Sequence, residues 1–150
     1  MNKKGQAAME FLMTYGWAIL AAIIAIGVLA YFGIFNLSAP SQATVSAPLY
    51  ANAWDIDATA DDVILEIRNN GGETLNITNS AITVTDPSAG TCTDSTDYLV
   101  ATGDLQTLTI SCAIGLNPDD SFRGDIVITY RRPGSGVDLT STGQITGTAT

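Results

Sequence analysis

Residues 3–11 read KKGQAAMEF, and they open onto FLMTYGWAILAAIIAIGVLAYFGIF, residues 11–35, which runs 25 residues without an Asp, Glu, Lys, Arg or His. A helix of that length spans about 37 Å at 1.5 Å per residue, more than the roughly 30 Å hydrocarbon core of a bilayer. Glu10 stands at the mouth of this run. In lipid or inside a helix bundle an unpaired carboxylate is costly or takes up a proton, so Glu10 needs a partner. The rival reading is a carboxylate solvated at headgroup level and favoured there by the helix dipole.

Lys3 and Lys4 precede the run and the next base is Arg68. The positive-inside bias therefore predicts a cytoplasmic N-terminus, one membrane span and an exported remainder. Tyr15 and Trp17 near one end, with Tyr31 and Phe32 near the other, suit interfacial anchoring. An ordinary secretory signal has an apolar core of roughly 7–15 residues, so this longer run is expected to be retained. Ala18, Ala21, Ala22 and Ala25, with Gly27, Ala30 and Gly33 beyond, provide small surfaces where other helices can approach closely.

From Asn36 onward 14 acids face four bases, Arg68, Arg123, Arg131 and Arg132, for a formal charge of −10. Nucleic acid is not an expected partner, because phosphate-backbone affinity comes from clustered Lys and Arg. There is no His, and no Lys after Lys4. The outer part thus lacks Ser-His, Cys-His, Ser-Lys and Schiff-base arrangements, and neither an enzyme nor a cofactor is expected. Asp55, Asp57, Asp61 and Asp62 offer calcium-type oxygen ligands but lack the glycine and terminal glutamate of an EF-hand loop. They read as turn acids, and no metal site is predicted. Cys92 and Cys112 are the sole cysteines. In an exported domain they fit one disulfide, two buried thiols being the other possibility.

Pro40 and Pro48 stop any helix, and Asn36-Leu37-Ser38 marks its expected exit. Beyond residue 60 the period becomes two. Val63, Leu65 and Ile67 share one strand face, Asn69-Asn70-Gly71-Gly72 makes a turn, and Leu75–Thr78 resumes extended structure. Further strands are predicted over residues 81–85, 98–101, 105–112, 124–131 and 137–145, with Trp54, Phe122 and Tyr130 as core aromatics. The fold class is α+β: a long N-terminal hydrophobic helix followed by an all-β, immunoglobulin-like sandwich. Two sequons, Asn36-Leu37-Ser38 and Asn76-Ile77-Thr78, are glycan acceptors in an exported chain, Asn76 being favoured by its place near a turn.

Lys3-Lys4-Gly5-Gln6-Ala7-Ala8-Met9-Glu10-Phe11-Leu12, followed by the unbroken apolar helix, resembles the class III signal peptide of archaeal type IV pilins. The resemblance covers residues 3–35, and Ala8 departs from it where many members carry serine. It implies cleavage between Gly5 and Gln6 by a membrane-embedded prepilin peptidase. The chain then divides into a leader at 1–5, a retained helix at 6–36, a linker and domain entry at 37–60 and the sandwich at 61–150. It also implies a structural subunit that polymerises through its helix, with pilus assembly machinery, into a helical surface filament serving adhesion.

Cutting after Gly5 would remove both lysines and leave the new Gln6 α-amine and Glu10 as the only charges before Asp55. Gln6 and Glu10 are thus the candidate assembly residues, pairing within one chain or between neighbours. The alternatives are a single-pass anchored surface-binding protein and a minor pseudopilin of a secretion or uptake machine.

Overall fold

The computed structural model describes residues 3–33 and 40–150. The chain forms two compact units, Met1–Leu37 and Ser38–Thr150.

The first unit is one helix, α1, Lys3–Tyr31. It begins three residues before the expected Gln6 boundary, because Lys, Gln and Ala are strong helix formers and Gly5 alone costs only about 1 kcal/mol. It ends at Tyr31, ahead of the expected position 36, where Gly33 takes a φ of 67° and closes the last turn. Phe32 N–H donates to Val28 O at 3.0 Å and Gly33 N–H to Ala30 O at 3.0 Å. A left-handed glycine just past the last turn is a common helix stop. Asn36, the expected helix exit and first sequon, lies outside the described residues.

The second unit holds nine strands: β1 (Gln42–Val45), β2 (Leu49–Asp57), β3 (Asp62–Asn69), β4 (Leu75–Asp86), β5 (Gly90–Asp94), β6 (Tyr98–Val100), β7 (Leu105–Ser111), β8 (Ser121–Arg131) and β9 (Leu139–Thr148). The architecture is α+β, as expected, with an antiparallel, barrel-like sheet domain. The strands follow the order β1-β9-β8-β4-β5-β7-β3-β2, and β6 lies off this path against β4.

The segment read as linker and domain entry, 37–60, carries β1 and β2. Both escape a reading of period two for physical reasons. β1 is short and sits between prolines. β2 is rich in Ala, Asn and Asp, which are poor strand formers. Its register also slips between Ala51 and Ala53, so buried positions shift from odd Leu49 to even Ile56. The same device fuses the two predicted strands at 75–78 and 81–85 into the single β4. A register shift between Ile77 and Asn79 moves the inward set from Leu75 and Ile77 to Ser80, Ile82 and Val84. One inserted residue inverts the facing of all that follow.

Strand β8 shows undisturbed alternation, with Phe122, Ile126, Ile128 and Tyr130 inward and Arg123, Asp125 and Val127 outward. These pack in one core with Val63, Leu65, Ile67, Leu108 and Ile110 from β3 and β7. Phe122 and Tyr130 are buried as expected, and Trp54 packs partly buried against the same core. On β9, Gly143 is obligatory: a Cβ there would stand 1.8 Å from Thr44 O of β1.

The path pinches between β5 and β7, which share one register pair, Thr93↔Ser111. The Cys92–Cys112 disulfide flanks that single step, with Cα atoms 4.0 Å apart. On the other side Ala58 N–H donates to Thr150 O at 3.0 Å and Thr150 N–H to Ile56 O at 2.9 Å, joining the end of β2 to the residues after β9. The chain crosses between the two halves at Asn69-Asn70-Gly71-Gly72. Buried Asn69 organises this crossing: its Nδ2 donates to Glu73 O at 2.8 Å and Val100 O at 2.9 Å, and its Oδ1 accepts from Gly71 N–H at 2.9 Å.

Because the disulfide closes a loop across the weakest step of the sheet, a Cys92→Ser/Cys112→Ser double variant should lose about 3 kcal/mol. Chemical denaturation followed by circular dichroism of the sheet measures the loss.

Candidate functional site

Gly5, Gln6 and Glu10 lie on α1 and are exposed. Gln6 and Glu10 are four residues apart, one above the other on the same helical face. The Gly5–Gln6 bond sits inside the helix. Starting the helix at Gln6 would move Glu10 from the eighth helical residue to the fifth, closer to the positive end of the macrodipole.

The rest of α1 is a continuous apolar coat. Met13, Trp17, Ile23, Ile26, Tyr31 and Phe32 are all exposed, Trp17 at 70% and Tyr31 at 87%. Residues Gly5–Tyr31 are long and apolar enough to cross a bilayer. Phe11 and Tyr15 stack along one side with ring centroids 4.6 Å apart. A helix hydrophobic all round needs an apolar environment on every side.

Three of the four aspartates weighed as calcium ligands, Asp55, Asp57 and Asp61, accept from backbone amides. Asp57 Oδ1 accepts from Thr59 N–H at 2.8 Å and Ala60 N–H at 3.0 Å. Asp61, at a φ of 57°, holds the loop that follows Cys112. Its carboxylate accepts from Ile114 N–H at 3.1 Å, Gly115 N–H at 3.0 Å and Leu116 N–H at 3.2 Å. Among the described residues no group of three or more His, Cys, Asp and Glu converges as metal ligands.

Asp94 is the buried acid of the domain. It accepts from the Tyr98 hydroxyl at 2.9 Å and from Thr96 N–H at 2.9 Å. Burial, and then the Asp94 carboxylate that accepts its proton, push the Tyr98 phenol above its ordinary value. Sequence reasoning read Asp61 only as a turn acid and missed Asp94: the amides that donate to Asp61 lie 53 to 55 residues away, and nothing local shows that Asp94 is buried.

Two shallow grooves of about 410 and 430 Å³ share Asp125 and Gln144 on the outer face of β8 and β9. Gln144 Nε2 donates to Asp125 Oδ1 at 3.2 Å. Neither lining includes a cysteine, lysine or histidine. Asn76 lies within β4, paired to Leu99 on one side and Arg131 on the other. It is the second residue of β4, shortly after the Asn69-Asn70-Gly71-Gly72 turn, one strand in from the edge and half-buried.

Scanned against models of known protein families the chain matches none, and no curated protein is similar to it in sequence.

Removing three charge-assisted hydrogen bonds makes Asp61→Ala destabilising by about 2 kcal/mol. Asp61→Asn, which tolerates the left-handed backbone and keeps one acceptor oxygen, should cost less than Asp61→Ala in the same denaturation assay. Tyr98 binds its proton more tightly folded than unfolded. Its contribution is therefore complete below the unfolded phenol value of about 10 and is lost as pH rises through the higher folded value. Stability measured across the alkaline range should fall more steeply for the wild type than for Tyr98→Phe.

Proposed function

We propose that this chain is a pilin: a membrane-held precursor cut between Gly5 and Gln6 by a prepilin peptidase, then polymerised through α1 into a helical filament on the cell surface. The observation that carries the reading is the juxtaposition of KKGQAAMEF with a helix that is apolar on every side, joined to a disulfide-linked, acidic, all-β domain. Lipid covers such a helix before assembly, and neighbouring helices of identical subunits cover it afterwards. Contacts that repeat head to tail without closing generate a helical polymer.

The chemistry at the helix start supports the same reading. Glycine at position 5 lowers the cost of unwinding the helix for a peptidase by about 1 kcal/mol relative to alanine. Cutting there exchanges two lysine charges for one α-amine that can pair with Glu10. Glu10 then enters the apolar filament core with a partner and sets the axial register between subunits. The β domain faces solvent and provides the adhesive surface, with no catalysis by the subunit. Its acidic charge keeps the outer surface soluble.

N-terminal sequencing of sheared surface material, with electron microscopy of the same sample, tests this. Mature chains should start at Gln6 and form filaments, and Glu10→Ala should reduce filament yield at least tenfold without reducing precursor in the membrane. Chains that start at Met1 and stay dispersed in the membrane would instead indicate a single-pass anchored binding protein.

A further inference from the structure

We infer that Asn76 is an N-glycosylation acceptor whose glycan covers Leu99 of β6. The inference rests on the export that the proposed function requires. Asn76-Ile77-Thr78 is a sequon, and the fold turns its acceptor outward. Leu75 and Ile77 on either side are buried in the core, so Asn76 projects from the opposite face of β4.

The neighbourhood supplies a reason for a sugar at that place. β6 is a three-residue strand that pairs with β4 alone, through Leu75↔Val100, Asn76↔Leu99 and Ile77↔Tyr98. Leu99 stands directly opposite Asn76 and is 74% exposed, and residues directly opposite in an antiparallel pair project on the same face. An exposed leucine on a peripheral strand is a site for association, and a bulky polar group directly opposite shields it. On the far side of Asn76 the row continues to Arg131, which is ion-paired with Asp138. The sugar is thereby bordered by leucine on one flank and by charge on the other.

The linkage forms one bond, from Asn76 Nδ2 to the anomeric carbon of a sugar. It breaks the bond from that carbon to the oxygen of a lipid-linked phosphate or pyrophosphate donor. The amide loses one proton to a base of the transferase, and the phosphate-bearing carrier leaves with the electron pair.

Tryptic mass spectrometry of native surface material tests the site. Cleavage at Arg68 and Arg123 isolates peptide 69–123, which holds Asn76 and excludes Asn36. That peptide should carry added glycan mass. Asn76→Gln and Thr78→Ala should each abolish the addition, and Thr78→Ser should keep it. The unglycosylated Asn76→Gln protein should aggregate several-fold faster than wild type, and adding Leu99→Ser should restore the wild-type rate. In the glycosylated background Leu99→Ser should change nothing. An unmodified 69–123 peptide would overturn the inference, and so would an equal effect of Leu99→Ser in both backgrounds. Failure of the pilin reading registers separately, as an N-terminus other than Gln6, whatever mass the 69–123 peptide shows.

Discussion

A helix with no polar stripe has to be covered on every side, and the organisation of this chain follows from that. From Phe11 to Tyr31 no side chain carries a charge, and the large apolar ones stand exposed along the whole length of α1. Burying each such side chain stabilises by about 1.5–3 kcal/mol. Whatever covers this helix therefore needs no specific lock to hold it. Apolar contact is non-directional and fixes no position along the axis; if α1 packs as proposed, Glu10 at the mouth of the run supplies the polar contact that does.

The β domain meets a different constraint. It must hold together around a modest core. Each seam in its sheet is closed by a specific device: the disulfide beside the single Thr93↔Ser111 step, the bonds of Thr150 to β2, and the Asn69 amide at the crossing between halves. Two strands change their inward parity at a bulge, which lets each strand serve the core from both of its ends. Asp57 and, above all, Asp61 hold backbone amides, of their own turn and of a distant loop respectively.

Much of this was legible in the residues. The helix, its length and its apolar character were evident because a charge-free run admits few alternatives. The strands β3, β7 and β8 were evident because each keeps a regular alternation. β1 and β2 were hidden, the first by brevity and the second by weak strand formers and the slip at Asn52. β4 read as two strands because the insertion at Thr78 reverses its parity. Asp61 read only as a turn acid because the amides that donate to it lie on a distant loop, and Asp94 went unread because its burial has no local signature.

That the two cysteines pair was settled by the structure; sequence alone determined the division into an apolar helix and an acidic, β-rich domain and the charges at the helix mouth. These are properties of composition and local period, and they hold whatever the chain packs against. Strand order, the pinch between β5 and β7, the open edge of β6 and the pairing of Asn76 with Leu99 were decided by tertiary structure alone. The reason is that strand pairing joins residues far apart in the chain, and hydrogen bonds between backbones carry no residue-specific signature that a linear pattern can expose.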